Sequence, residues 1–153
     1  MTFVLSFENI ASMAVLLVYI IPGVLYYYTR NPREIIAIIS VFGTGLLSDG
    51  IKHHVIGNRN PRPSGASDCD LLCTNGLQEG KPGMPSGHSA LAFFFAGFYF
   101  NQTNEVWIKV ILVIFATGVA YSRCTKRCHS IEQAIAGALF GIIMSILVTS
   151  YLL

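Results

Sequence analysis

The sequence is 153 residues long, 53% hydrophobic and only 12% charged, with a formal net charge of +2. That length suits a single domain, residues 1–153, but the composition is too apolar for an ordinary soluble one and points to a membrane protein. The ten Lys and Arg residues form neither a run nor a stripe, so nucleic-acid binding has no electrostatic support.

A membrane span needs about 20 predominantly apolar residues. Five stretches meet or approach this: about 9 to 29, 34 to 52, 86 to 101, 105 to 122 and 131 to 152. The first has no basic n-region and no small-residue cleavage site, so it reads as a retained span, and the whole chain as the mature protein. The second ends at Lys52. Asp49 lies three residues earlier on the same helical face and is the expected partner of that lysine, because an ionisable group in a span needs one. The next region, from about His53 to Pro85, is the one long connection and is rich in Gly, Pro, Asn and Asp, the mark of a functional or disordered loop. His53 and His54 read as interfacial, as do Trp107 and the tyrosines at 26 to 28. The third stretch is short and crosses only if it starts below the membrane surface or extends through Asn101-Gln102-Thr103. The last contains Ile142 to Val148, apolar all round, whereas a soluble helix would repeat a polar face at the 3.6 period. The expected architecture is an all-α, multi-pass transmembrane bundle of about five spans.

Following these spans across a membrane gathers distant residues. The second ends where the third begins, the third and fourth cross out and back, and the fifth starts on the same side. Lys52, Arg59, Arg62, Lys81, His88, Arg123 and His129 therefore converge on one face. Arg30, Arg33, Lys109, Lys126 and Arg127 read instead as interfacial anchors. A phosphate needs several cationic or N–H donors, and Arg supplies a fork of them. Pro85-Ser86-Gly87-His88 reads as a helix start, where unpaired amides and the helix dipole favour an anion and Gly87 allows close approach. Two histidines beside such a site can divide phosphoryl transfer, one attacking phosphorus and the other protonating the leaving oxygen. No metal-hydrolase arrangement of Cys, His and Asp lies on this face, so the cations would have to stabilise the developing charge.

At these residues the sequence resembles the type 2 phosphatidic acid phosphatase superfamily, whose signature is K-x6-RP, then PSGH, then SR-x5-H-x3-D. Pro85-Ser86-Gly87-His88 completes the second motif, and Ser122-Arg123 with His129 opens the third. The resemblance covers residues from about 44 to 150 and implies a helical core shared with vanadium haloperoxidases, with no cofactor and no metal. It also implies His129 as a nucleophile forming a phosphohistidine, His88 as the acid, and Lys52, a motif-one arginine, Ser86, Gly87 and Arg123 as phosphate ligands. Two positions depart from the pattern. Lys52 plus seven is Arg59, followed by Asn60, whereas the Arg-Pro dipeptide is Arg62-Pro63, three residues too far; Arg62 is favoured, with Arg59 as the alternative. Gln133 stands where the family has an Asp that orients the nucleophile, completing the catalytic set, and some dolichyl diphosphatases are similar in carrying Gln there. The implied substrate is a lipid-linked phosphate or diphosphate, of the phosphatidate or polyprenyl diphosphate type, presented by the bilayer. The alternatives are a soluble phosphate ester as substrate, or a catalytically weak lipid-binding or scaffold role. Oligomeric state is not readable.

The four cysteines, Cys69-x3-Cys73 and Cys124-x3-Cys128, also fall on the site face. Two disulfides in an oxidising compartment, a four-cysteine zinc site and four free thiols all remain open. Positive-inside counting does not fix sidedness: without Lys52, Arg62 and Arg123, four basic residues on the site face oppose three on the other. The cysteines and the family's habit favour a lumenal or extracellular site.

Overall fold

The computed structural model describes residues 6–153. Its elements are helical: α1 (Phe7–Met13), continued through a 3-10 turn (Ala14–Leu16) into α2 (Leu17–Thr29), then α3 (Pro32–Gly50), α4 (Gly87–Phe100), α5 (Val106–Thr125) and α6 (Ile131–Tyr151). Among the described residues there is no β-strand, only isolated bridges at Pro61 with Pro82 and Ser67 with Leu77.

The boundaries follow from local chemistry. Arg30 closes α2 in a left-handed conformation (φ 54°), and Asn31 then accepts from the Arg33 amide while Pro32 fills the first position of α3, where a missing N–H costs nothing. Beyond Gly50, α3 runs on as a wider π turn (Ile51–Ile56) and a short 3-10 turn (Gly57–Arg59). Ser130 opens α6 with a capping box, its hydroxyl accepting from the Gln133 amide while the Gln133 side chain accepts from the Ser130 N–H.

Among the described residues, four helical stretches are long and apolar enough to cross a membrane: Phe7–Thr29, Pro32–Arg59, Val106–Thr125 and Ile131–Tyr151. The third stretch is short, as its sequence suggested. Residues 101 and 102 form a turn instead of extending it, and α4 has 14 residues, about 21 Å at 1.5 Å per residue, less than the hydrocarbon thickness. It needs no greater length because protein, not lipid, surrounds it. Nine of its residues are buried, and α6, α5 and α3 pack around it.

Small residues set the central contact. A Cβ on Gly137 would lie 2.3 Å from the Ser86 carbonyl oxygen, and one on Gly141 would lie 2.2 Å from that of Ala90. Gly97 of α4 meets Ser145 of α6 in the same way. These contacts climb both helices together, so α4 and α6 run parallel and begin at the same end of the bundle. Close backbone approach of this kind drives helix association in lipid, where burial of apolar surface gives no advantage.

Gly141→Val should therefore force the pair apart and, at about 1–3 kcal/mol for overpacking, lower the unfolding midpoint of the detergent-solubilised protein by several degrees. Gly118, where an added Cβ would meet nothing within 4 Å, should accept Ala with no loss. Equal midpoints for the two variants would disprove the contact.

Candidate active site

The common end of α4 and α6 carries a cavity of about 390 Å³, lined by Lys52, Arg62, Gly87, His88 and His129 together with Asp49, Asp70 and Asn75. Its remaining wall is apolar: Tyr19, Phe42, Leu46, Leu71 and Leu91. Each functional side chain arrives from a different element. Lys52 sits in the π turn, a distortion frequent at functional sites. Its Nζ donates to Asp49 Oδ1 at 3.0 Å, the pairing expected from their spacing, and its side chain is 9% exposed against 62% for Asp49. His53 also lies near that carboxylate, at 3.7 Å.

The two candidate motif-one arginines separate cleanly. Arg62 lines the cavity and donates from Nη1 to the Cys128 carbonyl at 3.0 Å, whereas Arg59 is exposed and outside it. The π and 3-10 turns consume the additional residues between Lys52 and Arg62 while keeping both side chains on one site.

His129 is 3% exposed, and its ring is held at both nitrogens. Arg62 Nη1 lies 3.1 Å from Nε2, and Gln133 Oε1 lies 3.2 Å from Nδ1. A guanidinium only donates, so Nε2 carries the lone pair and Nδ1–H donates to Gln133. Burial first, then the charges of Arg62, Arg123 and Lys52, push this histidine well below its ordinary value, with the Gln133 hydrogen bond opposing them. The ring is neutral, as that tautomer requires. Gln133 is itself buried, and its side chain bridges His129 to the start of the long loop.

At the start of α4, Ser86 Oγ accepts from the Ser89 amide at 3.4 Å and the Ser89 hydroxyl at 3.1 Å. The Ser86 N–H donates to the Gln133 carbonyl at 3.0 Å, joining the two helix starts. This leaves the Gly87 and His88 amides as uncapped first-turn donors beside the cavity. Nε2 of His88 is buried with no hydrogen-bond partner.

Arg123 and Ser86 lie behind the cavity wall rather than on it. Arg123 is fully buried, with Nη1 donating to Ser12 Oγ and Nη2 donating to the Cys69 carbonyl at 2.6 Å, while Nε has no partner. Ser12 of α1 carried no sequence signal for this role. Asp70 and Asn75 were equally unmarked, since neither belongs to a motif and the loop brings them in: Asp70 accepts from the Thr74 amide and hydroxyl, and Asn75 accepts from the Cys69 amide.

The cysteines resolve unevenly. Cys69 and Cys128 form a disulfide with a Cα separation of 5.5 Å, while Cys73 and Cys124 are free. Neither two disulfides, nor four thiols, nor a four-sulfur zinc set is therefore formed. The bridge fastens the long loop to the connection between α5 and α6, and the carbonyls of its two cysteines are the acceptors for Arg123 and Arg62.

The fold and site together define an all-α bundle with membrane-length helices, gathering cations and two histidines from three separated motifs at one end. The model of the PAP2 superfamily matches residues 33–153, most of the chain, and the chain belongs to that superfamily. Among curated proteins it is similar to Dolichyldiphosphatase 1 of Dictyostelium discoideum, 35% identical over 77 residues, which cover 43% of this chain and 34% of the relative. The match thus spans about a third of that relative's length. No solved structure matches the chain.

Peptide mapping of the non-reduced, denatured protein should yield a cross-linked pair containing Cys69 and Cys128, with Cys73 and Cys124 both alkylated. A bridge involving Cys73 or Cys124, or four alkylated thiols, would contradict the pairing.

Proposed function

We propose that this chain is a membrane phosphatase that hydrolyses a phosphate or diphosphate carried by a lipid, acting through a phosphohistidine and without a metal. The observation that carries this reading is a cavity with two histidines, the buried Lys52 and the half-buried Arg62 on one side and an apolar wall facing the span region on the other. Such a lining suits an anionic head on an apolar tail. The name of the similar relative points to a dolichyl-type diphosphate as the first substrate to test, with phosphatidate second.

In this mechanism the phosphate is held by Lys52, Arg62 and the Gly87 and His88 amides. Arg123 adds positive charge from behind the wall, and Ser86 acts by capping α4. The Nε2 lone pair of His129 is occupied by Arg62 Nη1. A phosphate oxygen is a much stronger acceptor for a guanidinium than an imidazole nitrogen is, so substrate binding draws Arg62 off and releases the lone pair. Nε2 attacks phosphorus, forming an N–P bond as the P–O bond to the leaving group breaks. His88, protonated when the anionic substrate offsets the surrounding cations, gives its proton to that oxygen and becomes neutral. Water then attacks the phosphohistidine, regenerating His129, while neutral His88 accepts a proton from the water.

Charge developing on the phosphoryl oxygens is balanced by fixed Lys and Arg, which is why no metal is invoked. Disulfide formation needs an oxidising compartment, which supports a lumenal or extracellular position for the site.

Phosphate release from a dolichyl-type diphosphate by the purified protein should persist in excess EDTA, be inhibited by vanadate, and fall about 100-fold or more in His129→Ala. Loss on chelation with recovery on adding Mg²⁺ would overturn the mechanism, and binding of the lipid with no release would favour a scaffold. The depressed His129 value has a definite sign. The ring stays neutral to lower pH than a free histidine, so the acid limb of kcat/KM should lie below about pH 6.5.

The two arginines provide a separate test. Arg62→Ala should weaken vanadate inhibition about tenfold or more, as expected for one lost charge-assisted contact, whereas Arg59→Ala should leave it within about twofold. The reverse order would make Arg59 the phosphate ligand.

A further inference from the structure

Gln133 is more than an acceptor for His129. Its Nε2 lies 2.8 Å from the Pro61 carbonyl, 3.3 Å from the Asn60 carbonyl and within hydrogen-bond distance of Asn60 Oδ1. Its Oε1 accepts from the Ser130 N–H at 3.2 Å as well as from His129. One end of the amide thus faces only donors, and the other only acceptors. Gly83 closes the remaining side: a Cβ there would lie 2.7 Å from both Nε2 and Oε1, and the Gly83 amide is bonded to the Asn60 carbonyl. The donors at one end and acceptors at the other fix which way the amide points.

We propose that Asn60 is a positioning residue, holding the Gln133 amide in the orientation in which Oε1 faces His129, and that the Asn60–Pro61 turn makes an amide obligatory at position 133. A carboxylate there would set a proton-less oxygen against two backbone carbonyl oxygens that cannot turn away, leaving acceptors unpaired in a buried site. The acid that would ordinarily be expected to strengthen a histidine nucleophile is therefore excluded by this loop. The proposal rests on the reading of His129 as nucleophile, but its direct consequence, the ring tautomer, is observable without turnover.

The test is nitrogen NMR of protein labelled at histidine, in detergent, alongside kcat/KM for release of phosphate from a dolichyl-type diphosphate. The wild type should show His129 protonated at Nδ1, and Asn60→Ala should show a mixture of tautomers with kcat lowered about tenfold at little change in KM. Asn60→Asp keeps an acceptor at the same place and should recover most of that loss. In a Gln133→Leu background, Asn60→Ala should cost nothing further, because its effect passes through the amide. Gln133→Glu, equal in size to Gln133, should lose more than Asn60→Ala does. Wild-type kcat/KM in Gln133→Glu, an unchanged tautomer in Asn60→Ala, or equal costs of Asn60→Ala in both backgrounds would overturn the proposal. An Nδ1–H tautomer that depends on Asn60, in a protein that releases no phosphate from any lipid, would instead refute the proposed function and leave the clamp standing.

Discussion

The site depends on one buried amide being satisfied at both ends. Gln133 caps the start of α6 through Ser130, orients the His129 ring, accepts the Ser86 N–H through its backbone carbonyl, and reaches the first turn of the long loop at Asn60 and Pro61. Those contacts join the segments that carry all three motifs. Because the amide lies almost entirely out of water, leaving any of these groups unpaired would cost about 1–3 kcal/mol. Geometry at the histidine and geometry in the loop are consequently a single problem with a single solution.

The second constraint is electrostatic. Three cations, Lys52, Arg62 and Arg123, gather around the cavity, where the nearby carboxylates are Asp49, itself largely exposed, and Asp70, whose oxygens already serve Thr74. Buried charge without full pairing is costly, and proteins keep it mainly where it works. Arg123 shows how the fold makes this tolerable, since Ser12 and the Cys69 carbonyl take two of its donors. The disulfide holds that carbonyl, and the Cys128 carbonyl facing Arg62, in place. An anion entering the cavity would complete the balance that the protein leaves short. The helix start at Gly87 adds backbone dipoles of the same sign.

Helix packing explains how these groups come within reach of one another. α4 is the short helix of the bundle, and it is the element around which α3, α5 and α6 assemble. Its glycine-mediated contact with α6 brings Gly87 and His88 beside His129 and Gln133 although some 40 residues of chain intervene. Asn60, Pro61 and Gly83 then close over them from the loop, whose two arms are joined by Arg62 and Lys81 backbone bonds.

The sequence by itself determined the apolar helices, the face on which the motifs converge and the pairing of Asp49 with Lys52, because hydropathy and the helical repeat are local properties. The resemblance of the third motif also marked Gln133 as the position where an amide stands in place of the family's acid. Tertiary structure alone decided that Arg62 and not Arg59 enters the cavity, because a π turn changes the helical register in a way no repeat predicts. It decided the pairing of Cys69 with Cys128, which depends on where a 59-residue separation folds back. It withdrew Arg123 and Ser86 behind the wall, through bonds to Ser12 and Cys69 and to Ser89 and Gln133. It also set Asn60 against Gln133, since contacts between residues 73 positions apart are made by packing and leave no periodic trace in the chain.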